Sequence, residues 1–518
     1  MKDRFRENIE ITAPETWSDW AQRGQGNYLA GDLKAALKDF KKALEMNHEA
    51  PELYFSAGQV LYDLGKWSEA GDFFEGALKF NKSWAEALLM AGVCREQTGH
   101  MEEAANAYRK AIAFDEQMGA AHFNYACLQH AQKNEDLAMD HYQKAYDLSE
   151  KKGACALALA KLFQQRKIFN GSRIWYERAI EEHTVSDDNL SNYAVVLQEL
   201  GCFDKALAMN DEILKREPEH KEARYNRAFC LLVKGMYEKG WKAFEYRNTY
   251  VERVEKRWTG EHRHDETLLI AYEQGLGDVI QCARWFPDIK ERVGKLYVQC
   301  PKSLHKLLGK MNVIDEFYDV GDEVPGVGCQ IPVFSIPHAL GVKVDDLKGE
   351  PYLKVDENKD LGVKKQLRVG LVWAGSNIHG RDYARSCTLE DFEILSELED
   401  VEFVSLQKGA SANQLERYRG GLKINNGVAD CVDFLDTANV MKGLDLIISV
   451  DTSVVHLAGA LGKEVWVMVQ CSPDWRWFLE RNDSPWYNTV RVFRQDKMGN
   501  WMHVIRDMKN ILTDRLKG

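Results

Sequence analysis

No run of about 18 apolar residues occurs in the 518-residue chain, so a membrane-spanning helix is not expected. Its most apolar stretch, Leu444 to Val455, is interrupted by Asp445 and Asp451. The opening residues, MKDRFRENIEITAPET, lack the apolar segment of a secretory signal. Eleven cysteines contain no CxxC pair. An odd count without metal-ligand spacing implies reduced, mostly buried thiols, and a cytoplasmic location is the expectation. Basic residues are in deficit, with 68 Lys and Arg against 80 Asp and Glu and a net charge of -12. A global basic footprint for nucleic acid is therefore absent, although net charge says nothing of a local patch. Composition also excludes disordered, collagen-like and disulfide-scaffold classes, because 45% of residues are hydrophobic and 29% charged. At roughly 150 residues per domain the length fits about three domains.

What the first half does contain is a repeat. The turn and helix residues Gly31, Ala36 and Ala43 return at intervals of 34 as Gly65, Ala70 and Ala77, then as Gly99, Ala104 and Ala111. The same phase continues through Lys133, Lys167, Gly201 and Gly235. A small residue also precedes each turn by seven positions: Gly24, Gly58, Gly92, Ala126, Ala160, Ala194 and Ala228. Seven units thus run from Trp17 to residue 254 without insertion, leaving 1–16 as an extension. Each unit predicts a helix hairpin. The small residues sit where two helices cross closely, and the turn glycine supplies the left-handed conformation that ends the first helix. Pro218 falls where the second helix of the sixth unit must stop. The seventh unit departs from the pattern at Gly240 and Arg247, as a terminal repeat meeting another domain would.

This period and pattern resemble the tetratricopeptide repeat, which implies a superhelix with a concave groove. Its expected lining is mixed. Glu52, Glu86, Asp188 and Glu222 recur at the second position of their units, and Asn124, Asn192 and Asn226 at the sixth. Amide side chains there can hold an extended peptide backbone without reading its sequence. Solvated polar positions on a helix surface are the competing reading for each single residue. For the groove as a whole, a protein or peptide partner is the expectation.

From about Glu255 the period is lost. ETLLIAYE, KLYVQC, LRVGLVWAG, VEFVSLQ, LDLIISVD and EVWVMVQ read as short buried strands separated by helical segments. That alternation predicts doubly wound parallel sheets, so the fold class is α plus α/β. The charged stretch Gly341 to Gln366 reads as a linker between two lobes, 255–355 and 356–518. Glu266 to Tyr352 spans only 87 residues, short for a full Rossmann lobe.

Candidate chemistry gathers after the strands. In the first lobe Gln274-Gly275-Leu276-Gly277-Asp278 is a partial dinucleotide fingerprint, with Ile280 where a third glycine would stand. Asp278 can also serve simply as a helix cap. In the second lobe Ser376, Asn377, Arg381 and Arg385 follow one strand. Gln407 and Lys408 follow another, and Asp451, Thr452, Ser453 and His456 follow a third. Paired guanidiniums at strand ends suit a diphosphate, as do hydroxyls and free N–H groups at a helix start. Surface charge and N-capping are the alternatives. Aromatics crowd the tail, with Trp475, Trp477, Trp486, Tyr487 and Trp501 open to base stacking or to core packing. His262 and His264 have no further ligand at a metal spacing, so no metal site is expected.

GLGDVIQ at 275–281, LVWAG at 371–375, SLQKG at 405–409, SVDTSVVHLAGALGKEVW at 449–466 and PDWRWFLERNDSPWYNTVRVFRQ at 473–495 carry a second resemblance. Residues 266–512 resemble heptosyltransferase-type GT-B enzymes, glycosyltransferase family nine in a broad sense, in particular those fused to tetratricopeptide repeats. The layout is also similar to O-GlcNAc transferase and bacterial flagellin glycosyltransferases. The resemblance implies an inverting, metal-independent transferase with a nucleotide-diphosphate sugar as co-substrate and no cofactor. Asp278 would be the general base, on an acceptor-side loop with Gln274, Gly275 and Gly277. Arg381, Arg385, Lys408, Thr452 and Ser453 would hold the departing diphosphate, and Asp451 the donor sugar. Which of Arg381 and Arg385 aligns with the family's cation stays open, as does His456 between ligand and packed residue. The acceptor would be a protein recruited by the repeats. Other readings are a non-catalytic scaffold with a degenerate GT-B part, or a transferase acting on a glycan, a lipopolysaccharide core or a nucleic-acid base. The acidic balance argues mildly against the last.

Overall fold

The protein is described from a computed structural model, which covers residues 15–149, 152–247, 256–356, 359, 361–362 and 365–517. Most of the N-terminal extension, the junction after the last repeat (248–255) and parts of the inter-lobe linker lie outside the described residues. The chain divides into two compact units, Met1–Ser186 and Asp187–Gly518.

Fourteen helices, paired into seven hairpins, are present among the described residues of 17–247, and the first begins at Trp17 as the period predicts. Every turn has the left-handed residue the hairpin needs. Gly31, Gly65, Gly99, Gly201 and Gly235 have φ between +72° and +84°, and Lys133 and Lys167 adopt +67° and +60° in their own turns. Small residues sit at the crossings for a steric reason. A Cβ on Gly58 would lie 2.9 Å from the Phe74 ring, and one on Gly92 would lie 2.6 Å from Tyr108. Five repeats form the first unit. The last two belong to the second unit, with the α/β region.

Two all-parallel sheets follow. The first has four strands in the order β3-β2-β1-β4: β1 Arg263–Ala271, β2 Val293–Gln299, β3 Glu316–Tyr318 and β4 Cys329–Pro332. The second has six, in the order β10-β9-β8-β5-β6-β7: β5 Leu367–Val372, β6 Val401–Ser405, β7 Ile424–Asn426, β8 Leu446–Val450, β9 Val465–Val469 and β10 Val490–Arg494. Counted from its own first strand, the second sheet has the doubly wound order 3-2-1-4-5-6 and the first has 3-2-1-4. Among the described residues the first sheet has no fifth or sixth strand, in keeping with the shortness of its lobe. β5, β8 and β9 are buried at every position, as strands covered on both faces must be. In each sheet the strand order reverses between the first and fourth strands, β1/β4 and β5/β8, and ligands bind open α/β sheets beyond the carboxyl ends at such points.

Linker residues described between the sheets pack onto the second lobe. The N–H groups of Tyr352 and Leu353 both donate to the Ala460 carbonyl at 3.0 Å.

Candidate functional site

The two reversal points face each other through two helices. Leu276–Cys282 follows β1, and Ser453–Ala460 follows β8. They touch at Gly277, where a Cβ would lie 2.7 Å from the His456 ring and 3.1 Å from Ser453 Cα. Only a glycine permits that approach. The turn before Gly277 is equally constrained, since Gln274 takes a left-handed φ of +62° without being glycine. Gln274 and Gly275 are exposed beside it.

Asp278 does two jobs there. Its Oδ2 accepts the Gly275 N–H at 2.7 Å, which caps the helix. Its Oδ1 accepts from Arg476 Nη2 at 2.6 Å. Arg476 is buried and lies in the loop after β9. It also donates to Gln281 Oε1 at 2.7 Å and Asp474 Oδ1 at 2.8 Å, and its guanidinium lies 4.2 Å over Trp475. This residue joins the first-lobe carboxylate to the second lobe. Its role was not foreseen from the sequence, although an arginine between two tryptophans in the loop after a buried strand is a recognisable signal.

The charges balance around Arg476. Burial opposes its protonation, but Asp474, Asp278 and Asp451 together hold it charged. Burial pushes the Asp278 carboxyl above its ordinary range, and Arg476 and the Gly275 N–H pull it back. Asp451 is pushed up to about 6, by burial first and then by Asp474, against Arg476 and Arg385.

Arg385 and Arg381 diverge. Arg385 Nη1 donates to the Asp451 carbonyl at 2.9 Å, and its Nε to Asp382 at 3.1 Å. It therefore lies at the start of helix Ser453–Ala460, and it passes so close to Gly375 that a Cβ there would meet Nη2 at 2.3 Å. Thr452 caps that helix, its Oγ1 accepting from Val454 N at 3.3 Å, and Ser453 is partly exposed. Arg381 instead donates to the Ser472 carbonyl and hydroxyl at 2.8 and 3.1 Å, and pairs with Glu199.

Other candidates lie apart or are otherwise engaged. Ser376 and Asn377 are exposed in the loop after β5. Gln407 is buried and its amide bonds the backbone at Trp373, Ala374 and Lys408, so it joins the loops after β5 and β6. Lys408 Nζ donates to the Cys431 carbonyl. His456 is a packed residue: its Nδ1 meets the Tyr487 hydroxyl at 3.0 Å and burial holds its pKa far down. The five tail aromatics are all buried, and Trp475 and Trp486 pack on Trp241 and Tyr237 of the seventh repeat. Asn124 is half-buried and Asn192 exposed, while Asn226 donates to Ser191 Oγ at 3.0 Å between the sixth and seventh repeats.

Arg247, the irregular residue of the seventh repeat, occupies the first sheet's reversal point. Buried, it donates to Glu273 after β1 at 2.5 and 2.8 Å and to Ser335 after β4 at 2.8 Å. A carboxylate pair, Asp188 and Glu222, flanks the buried His220 at 3.3 and 3.4 Å. His220 Nδ1 also accepts the Ala223 N–H that starts its helix, so the residue serves as that helix's cap.

Comparisons with known proteins agree with the helical half. A TPR repeat family model matches residues 24–65, and a tetratricopeptide repeat model matches residues 89–152. The chain is 22% identical over 397 residues to Protein FlbA of Caulobacter vibrioides, covering 66% of this chain and 64% of that protein. It thus spans less than two thirds of that relative's length. The match covers more of the chain than the repeats occupy, so it extends into the α/β half. Among solved structures, Pseudomonas aeruginosa pilF is 17% identical with a TM-score of 0.37, over 41% of this chain and 96% of that one. YrrB, a TPR protein with an unusual peptide-binding site, is 22% identical with a TM-score of 0.32, over 36% and 95%.

Proposed function

We propose that the α/β half is an inverting GT-B glycosyltransferase, which moves a sugar from a nucleotide-diphosphate donor to a protein recruited by the repeats. The observation that carries this reading is the position of Asp278. It stands at the reversal point of one parallel sheet and faces the reversal point of the other, where Arg385 and the start of helix Ser453–Ala460 offer a cationic, donor-rich end. In the reaction an acceptor hydroxyl oxygen bonds to the anomeric carbon as that carbon's bond to the diphosphate breaks. Asp278 takes the hydroxyl proton, and the nucleoside diphosphate leaves with the bonding electron pair. Burial raises the basicity of Asp278, which suits a general base. Arg385 and the N–H groups at Ser453 balance charge on the leaving diphosphate. No step calls for a metal.

A non-catalytic scaffold is the second reading, favoured by the direct packing of Gly277 on Ser453 and by the pairing of Asp278 with Arg476. Asp278→Asn separates the two. As general base, the residue contributes about a hundredfold or more to turnover. Sugar transfer by the full chain should fall by that factor in the variant while donor affinity stays within a few fold. Undiminished transfer by the variant would overturn the assignment.

A further inference from the structure

The sixth repeat reaches the loop after β5 that carries both Arg381 and Arg385. Its first helix, Asp187–Glu199, ends against two loops of the second sheet. Glu199 Oε1 lies 3.1 Å from Arg381 Nε, and the Tyr383 hydroxyl donates to Glu199 Oε2 at 3.3 Å. One residue earlier, the Gln198 carbonyl accepts from the Ser472 hydroxyl at 2.5 Å, and Ser472 in turn holds Arg381. A repeat turn therefore ties together the loop after β5 and the loop after β9. The Glu199 side chain is only 12% exposed, so its charge is poorly screened by water.

We propose that Glu199 sets the affinity of the diphosphate site: it neutralises Arg381, and an incoming diphosphate has to take the guanidinium from it. The proposal rests on the donor-site reading and on Arg381 joining Arg385 as a diphosphate ligand, as the sequence resemblance implies. Exchange is chemically reasonable. A guanidinium binds carboxylate and phosphate through the same fork, and a diphosphate brings more charge than one carboxylate. Glu199 and Arg381 belong to the same compact unit, so the latch is built into the fold that joins the sixth repeat to the second sheet.

The test is calorimetric titration of the full chain with inorganic pyrophosphate. Glu199→Gln should bind about tenfold more tightly than the unaltered protein, and Arg381→Gln about tenfold more weakly. The double variant should match Arg381→Gln alone, because the latch has nothing left to hold. Tyr383→Phe, a mild change that serves if Glu199→Gln does not fold, leaves Glu199 with one donor fewer to share its charge and should weaken binding about twofold. Unchanged or weaker binding by Glu199→Gln would overturn the latch, as would an equal gain in the Arg381→Gln background, which would mark a general field effect. Pyrophosphate binding that is lost in Arg381→Gln but unmoved in Glu199→Gln would leave the donor-site reading standing and refute the latch alone. No pyrophosphate binding by either the unaltered protein or Glu199→Gln would refute both.

Discussion

Two carboxylates, Asp278 and Asp474, bond the buried guanidinium of Arg476, and a third, Asp451, acts on it through its charge. The Asp451 pKa of about 6 lies above the ordinary value of 3.8, so the folded protein binds that proton more tightly than the unfolded chain. The stability this supplies is complete below about pH 4 and is lost as pH rises through about 6. Between those two values each pH step of one costs roughly 1.4 kcal/mol. Asp451→Asn should remove that part of the pH dependence. Urea midpoints between pH 4 and 7 should fall less steeply for the variant than for the unaltered protein, and parallel profiles would contradict the assignment. At this scale the sequence was only partly legible. Asp278, Arg385 and Ser453 stand out because each follows an apolar strand. Gln407 looks the same in sequence, yet its amide closes a backbone junction between two loops. Arg476 becomes meaningful only when the first-lobe helix is placed beside it, because its main partner is 198 positions away.

Among elements, the contact of helix Leu276–Cys282 with helix Ser453–Ala460 brings the lobes together, and glycine at 277 makes it possible. Gly277→Ala would set a Cβ against Ser453 Cα, a backbone atom with little room to yield. Overpacking of this kind costs about 1–3 kcal/mol. Gly26→Ala, in an exposed helix with nothing within 4 Å of the new Cβ, should instead stabilise by up to about 1 kcal/mol. Chemical denaturation measures both, and equal signs for the two substitutions would refute the packing argument. The repeat hairpins were legible because a small residue at the helix crossing returns every 34 residues, and at Gly24, Gly58 and Gly92 an aromatic ring fills the space a Cβ would need. Strands β3 and β7 were not, since they are three-residue edge strands with exposed polar positions and no apolar run. β10 was obscured by alternation with arginines, Val490-Arg491-Val492-Phe493-Arg494.

For the whole molecule, periodicity groups seven repeats together, whereas the structure joins the last two to the α/β region. The seventh departs from the pattern where it meets the sheets. Arg247 enters the first sheet's reversal point, and the Tyr237 hydroxyl accepts from Trp486 Nε1 at 3.0 Å. A fragment of residues 187–518 should therefore unfold in one cooperative transition. Residues 256–518, stripped of the partners of Trp475, Phe478 and Trp486, should be insoluble or bind a hydrophobic dye. A soluble, cooperative 256–518 fragment would show that the repeats are separable. On the proposed function the paired reversal points hold a nucleotide-diphosphate donor, and a thermal-shift panel of nucleoside diphosphates and nucleotide sugars on the full chain would detect it. A ligand at about 100 times its Kd adds about 2.7 kcal/mol. One nucleotide should give a clear rise in Tm, and Arg385→Gln should abolish it. No rise with any member of the panel would contradict the proposed function and turn attention to the scaffold reading.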